Sequence, residues 1–129
     1  MPIHITWGND DHKLIIVRFV SPWNGNELID MIDEGVSLLN SVPYTVDVIV
    51  DFREAAMQIP TQYLQAVRRI NDIGLLNRGP MVIVGAPYFI RTLTKFAQEI
   101  APVAYSNLYF SPNINAAHAL LAEKSQNRA

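Results

Sequence analysis

Three runs of almost unbroken apolar residues constrain this chain most: KLIIVRFV at 13–20, TVDVIVD at 45–51 and MVIVGA at 81–86. A strand with one wet face alternates apolar and polar residues. A strand that is apolar at nearly every position is covered on both faces, which is the mark of a parallel sheet. Stretches with the 3.6-residue period of an amphipathic helix separate these runs. Strands alternating with helices imply parallel crossovers and helices packed on the sheet.

The rest of the chain fits that frame. Ile3, Ile5 and Trp7 alternate with His4 and Thr6, so 3–7 reads as a half-buried strand. Gly8-Asn9-Asp10-Asp11 is a tight polar link to 13–20, which makes the first two strands an antiparallel hairpin. After Ser21-Pro22, Asn24 stands as an N-cap three residues before Glu27. Leu28, Ile32, Val36 and Leu39 form one stripe of the helix that follows, with Asp30, Asp33 and Glu34 on the wet side. That helix ends near Asn40, before Pro43. The strand at 45–51 leads into a loop from Phe52 to Ile59. Pro60 opens a helix running to about Leu76, with Leu64, Val67 and Ile70 inward and Arg68, Arg69 and Asp72 outward. Asn77-Arg78-Gly79-Pro80 breaks it ahead of the strand at 81–86. Pro87 starts a third helix with Phe89, Ile90, Leu93, Phe96, Ala97 and Ile100 inward, ending at Ala101-Pro102. A short strand at 107–110 follows. Ser111-Pro112 reads as cap and first residue of a last helix over 112–124, leaving a frayed tail. The fold class is therefore α/β, in the order ββαβαβαβα. It is a mainly parallel five-stranded sheet with helices on its faces and an antiparallel first strand.

The 129 residues suit one domain. Half are hydrophobic, enough for a core without staples. The absence of cysteine excludes disulfides, thiol catalysis and cysteine-bound zinc. A net charge of −2 lacks the basic footprint of a nucleic-acid binder. The opening MPIHITWGNDDHK does not read as a signal peptide, and no run is long enough to span a bilayer, so the cytoplasm is the expected location. No cofactor is implied.

In open parallel sheets, ligands bind beyond the carboxyl ends of the strands. Three loops qualify here: Asp51 to Thr61, Gly85 to Tyr88, and Ser111 to Asn113. Each leads into a helix N-terminus. Asp51 ends an apolar strand. Either it binds a metal, a hydroxyl or a partner, helped by Arg53 and Glu54, or it accepts hydrogen bonds from its own loop. A receiver domain also carries an aspartate at such a strand end. That reading needs an acidic pair just after the first strand, where Asp10 and Asp11 stand but an added hairpin strand intervenes, and a lysine where Ser111-Pro112 stand. Arg91 and Lys95, one turn apart, form either an anion or lipid-headgroup clamp with Tyr88 or a solvated basic face. Arg68-Arg69 reads as a solvated face. His4, His12 and His118 share no metal-ligand spacing, and His4 and His118 read as exposed. No serine sits in a nucleophile elbow, and Ser111 reads as a helix cap. Trp23, Phe52, Met57, Ile59 and Tyr88 either line an apolar crevice or close the ends of the core. Tyr105, Tyr109 and Phe110 read as packing and edge residues.

Several segments resemble the STAS domains, and more narrowly their SpoIIAA-like group. They are VDVIVDF at 46–52, the helix after Pro60, MVIVGAP at 81–87 and NLYFSPNINAAHALL at 107–121. The resemblance extends over nearly the whole of 1–129 but rests mostly on hydrophobic pattern. It implies a non-enzymatic regulatory module that binds a protein partner. The alternative it implies is a carrier of a small apolar ligand or lipid, in a cavity lined by Phe52, Leu64, Tyr88, Phe89 and Leu93. The implied binding surface comprises Asp51, Phe52, Arg53, Met57, Ile59, Thr61, Tyr88 and Arg91. Regulatory members carry an Asp-Ser pair whose serine is phosphorylated. Counted from Asp51, that pair falls on Ile59-Pro60, and proline has no hydroxyl to modify. Thr61 is the nearest substitute. A hydrolase-like site around Asp51 is the remaining reading. A homodimer through the first strand's edge or a helix face is also open.

Overall fold

A computed structural model of the chain describes residues 3–55, 65, 68–69, 77–100, 102 and 106–126. Its elements are β1 (Ile3–Trp7), β2 (Leu14–Val20), α1 (Gly25–Asn40), β3 (Val46–Glu54), β4 (Arg78–Val84), α2 (Tyr88–Ile100), β5 (Leu108–Ser111) and α3 (Ile114–Gln126). The helix expected after Pro60 lies mostly outside the described residues; Gln65, Arg68 and Arg69 are helical.

The fold is α/β, as expected. The five strands stand in the order β1-β2-β3-β4-β5, with β1 antiparallel to β2 and every other pair parallel. Side-chain alternation divides the core in two. On one face, Ile15, Val17, Phe19, Val46 and Val48 pack with Leu39 of α1. On the other, Ile49, Val82 and Val84 pack with Ala117 and Leu121 of α3. The Arg91 guanidinium of α2 lies 5.3 Å from the Phe110 ring centre. Phe110 alternates with Tyr109, which belongs to the α3 face, so α2 shares the α1 face. Successive strands added in one direction, with right-handed crossovers, require that arrangement.

The caps explain the helix starts. The Glu27 amide donates to Asn24 Oδ1 at 2.9 Å, so Asn24 is the N-cap expected for α1. The last helix differs from expectation. Ser111 does not cap it but ends β5, and its hydroxyl donates to the Asn113 carbonyl at 2.9 Å. Asn113 is the cap, accepting the Ala116 amide at 2.8 Å. A Ser-Pro pair satisfies the cap pattern as well as Asn113 does, and only the sheet pairing of Ser111 with Val84 separates them.

Three further boundaries move. β3 runs on through Phe52, Arg53 and Glu54, which were expected to form the start of a loop. β4 begins at Arg78, so the expected helix breaker is strand. Phe96, expected inward, is 52 % exposed.

Candidate functional site

At the carboxyl ends of the strands, Arg18, Asp51, Val84 and Ser111 fall in one register row across β2 to β5. Asp51 is buried on the α3 face, two residues beyond Ile49. Just after it the register slips: Arg18 faces Asp51, but Val20 faces Glu54. β3 therefore carries one extra residue there, a bulge that re-aims the side chains next to it. The Arg53 amide turns back to donate to Asp51 Oδ1 at 3.1 Å. Its side chain folds the same way, with Nε on Oδ1 at 2.9 Å and Nη2 on Oδ2 at 2.8 Å. This two-pronged geometry is the strongest that an arginine and a carboxylate form.

Gly85 makes room for that fold-back. Its φ is +71°, and a Cβ placed there would sit 2.7 Å from Arg53 Cγ. Only glycine meets both demands at low cost. Gly85 also donates its amide to the Ser111 carbonyl at 3.0 Å, which ties β4 to β5 beside the pair. On the other side Arg18 binds Glu54, Nε at 3.1 Å and Nη2 at 2.5 Å.

The Asp51 carboxyl is held below the usual carboxylate range. The Arg53 side-chain hydrogen bonds are the largest cause. Burial opposes them, and the Arg53 amide and the charges of Arg53 and Arg18 add to them. A carboxylate so tied is a poor proton acceptor, because its anionic form is the stabilised one. The sign for stability follows. The pair's contribution is complete above the unfolded aspartate value of about 3.9, and is lost as pH falls through the lower folded value. Asp51→Asn should therefore be less stable than wild type near neutral pH. The gap between the two should close in acid. Urea titrations at a series of pH values read this directly, and a gap independent of pH would contradict it.

The expected site residues separate. Asp51, Arg53 and Gly85 come together. Phe52 points to the opposite face and stacks on Phe19, ring centres 4.7 Å apart. Trp23 is core: 5 % exposed, edge-on to Phe19 at 5.1 Å, with its indole N–H on the Ala55 carbonyl at 3.0 Å. Phe52 and Trp23 thus pack together with Phe19 at the end of the core. Tyr88 is 84 % exposed. Met57, Ile59 and Thr61 lie outside the described residues, as does Leu64 of the expected cavity. His4 and His118 are exposed as expected. Arg69 is exposed too but pairs with Asp33 of α1 at 2.6 Å. Asp10 and Asp11 sit in the hairpin turn, at the amino end of β2 and a strand length from Asp51, which removes the receiver reading. Among the described residues, no group of three or more histidine, cysteine, aspartate or glutamate side chains could hold a metal.

Two features of the site emerge only from the fold. Arg18 faces outward within an apolar run, and its register with Asp51 places it here. On α2, Tyr88, Thr92 and Phe96 stand at i, i+4 and i+8, all exposed, beside the exposed Arg91 and Lys95. The 88–92–96 spacing is present in the sequence, but Phe96 also fits the apolar period of α2, and only its exposure of 52 % places it on this stripe. Among the described residues no helix is long and apolar enough to cross a membrane. No protein-family model matches the chain, and no curated protein matches it at a significant level.

Proposed function

We propose that the chain is a non-enzymatic, STAS-like binding module. It docks an acidic, apolar-anchored segment of a protein partner on the outer face of α2, at the carboxyl end of the sheet. The observation that carries this is the exposed aromatic and basic stripe of Tyr88, Arg91, Thr92, Lys95 and Phe96. Tyrosine and arginine are enriched among residues that dominate binding energy. Two large aromatic side chains left in water on one helix face are a common mark of an interaction surface. Arg91 and Lys95 favour an acidic partner.

The occupied state of Asp51 supports a non-enzymatic reading. Both of its oxygens accept from Arg53, so the strand-end carboxylate is spent on structure. With proline at position 60, control by phosphorylation at the family's usual place has no hydroxyl to act on.

The test compares the full chain with Tyr88→Ala/Phe96→Ala. Both side chains are exposed, so the variant should fold normally. Affinity capture from the native lysate should recover a partner in stoichiometric amount with the wild type. The double variant should retain at least about tenfold less, the loss of one strong anchor. Equal capture by both proteins, or no stoichiometric partner, would overturn the proposal. So would native mass spectrometry showing a tightly bound lipid.

A further inference from the structure

The two edges of the sheet are built differently. On β5 both ring-bearing faces carry a cation: Arg91 lies 5.3 Å from the Phe110 ring centre, and Lys124 lies 4.6 Å from that of Tyr109. Charged side chains beside an edge are a common way to keep other strands off it. Among the described residues β1 itself carries no such charge, although His12 of the following turn stacks on Trp7 with ring centres 4.4 Å apart. Ile3-His4-Ile5-Thr6-Trp7 contains no lysine, arginine, aspartate, glutamate or proline, and it pairs with β2 without a register shift.

The hydrogen-bond phase of β1 can be read from its turn. The Gly8 amide donates to the Leu14 carbonyl at 2.7 Å, so Gly8 and Leu14 form a hydrogen-bonded pair. Antiparallel pairs alternate between bonded and non-bonded. Thr6–Ile16 and His4–Arg18 are therefore bonded, whereas Ile3, Ile5 and Trp7 turn their amides and carbonyls away from β2. These outward groups are spaced symmetrically about Ile5.

The apolar residues above this edge are left half covered. Ile5 and Trp7 are half-buried, and so are Met31 and Leu38 of α1. Met31, Gly35 and Leu38 form one helical stripe. Gly35 brings α1 close to β1: a Cβ there would sit 3.3 Å from Ile5 Cδ1. An uncharged, regular edge thus runs beneath a strip of partly exposed aliphatic and aromatic side chains.

We infer that β1 is a self-association edge. Two copies pair β1 to β1 antiparallel, about a twofold axis through Ile5. Ile5 meets Ile5 of the second copy, and Ile3 meets its Trp7. Each outward amide then finds an outward carbonyl, and no donor or acceptor of Ile3, Ile5 or Trp7 is left over. Ile3, Ile5 and Trp7 share the α1 face, so the seam sets aliphatic against aromatic side chains, a favourable cross-strand combination. On the other face His4 stands opposite Thr6 of the second copy, in a non-hydrogen-bonded pair. The result is one continuous sheet through both copies, with the α2 stripe of each copy at a distance from the seam.

The full chain tests this. Native mass spectrometry and light scattering should give twice the 14.5 kDa chain mass. Ile5→Pro removes an outward amide while sparing the bonded pairs with β2, a place where edge strands tolerate proline. It should give monomer. Because the chain has no cysteine, His4→Cys/Thr6→Cys provides a second reading that does not depend on how Ile5→Pro folds. Opposed non-bonded positions suit a disulfide, so oxidation should yield a covalent dimer. His4→Cys alone should not. A monomer at every concentration, with no cross-linked dimer from the double-cysteine chain, would overturn the inference. A dimer that Ile5→Pro leaves intact and the cysteine pair fails to lock would do the same.

Discussion

Trp23→Ala should cost about 3–5 kcal/mol, the range for deleting a large buried aromatic. At this chain length that is a fall in Tm of about 12–20 °C. Trp23 is 5 % exposed, although it sits between β2 and α1. Its ring meets Phe19 edge-on, and Phe19 stacks on Phe52. Its N–H holds the Ala55 carbonyl at the end of β3. Removing the side chain opens a cavity at the end of the core and leaves a buried carbonyl without that donor. Trp23→Phe separates these effects. It keeps much of the packing, so its cost should reduce to the lost hydrogen bond and the smaller ring, about 1–3 kcal/mol. The same region is clamped twice more, by the Ser21 amide on the Glu54 carbonyl at 2.9 Å and by the Arg18–Glu54 pair. Local disorder from Trp23→Ala should therefore appear first at Glu54 and Ala55 in amide hydrogen exchange. Uniform loss of protection across the sheet would contradict this account.

The strands were legible because their signal is local. Val48, Ile49, Val82, Val84 and Ala117 are buried, and each lies in a run that shows its period on the page. Where the sequence misled, the deciding contact was distant. Ser111 and Asn113 both fit a cap, and pairing of Ser111 with Val84 chose between them. Phe52, Arg53 and Glu54 look like loop because nothing local reveals the bulge opposite Arg18 and Val20. Phe96 fits the apolar period of its helix, yet period alone cannot say how far the covered stripe extends. Asp51 stood out as a strand-end carboxylate. That Arg53 would fold back onto both of its oxygens depends on the missing side chain of Gly85, more than thirty residues away. The resemblance to STAS domains came from hydrophobic pattern, which specifies a sheet and its covering helices and leaves the ligand open.

The second large effect should distinguish two isoleucines that face each other in register on the same side of the sheet, Ile49 on β3 and Ile16 on β2. Ile49 is 0 % exposed and packs with Ala117 and Leu121 of α3. Ile16 packs against the same cluster but is only half-buried. The reason is coverage. α3 touches β3, β4 and β5, and beyond them His4, Thr6 and Arg18 of the same face are exposed. Ile49→Ala leaves a closed cavity under α3 and should cost about 2–5 kcal/mol. Ile16→Ala opens onto water, which fills the space, so only the transfer of its own buried carbons is lost, about 1 kcal/mol. Urea midpoints at constant m-value measure both. Equal costs would mean that α3, or another segment, covers β2 as fully as β3. A large gap would instead fix the boundary of the α3 layer between these two residues. It would leave the β1–β2 hairpin half-open on that face, where its exposed row of His4, Thr6 and Arg18 lies next to the unguarded edge.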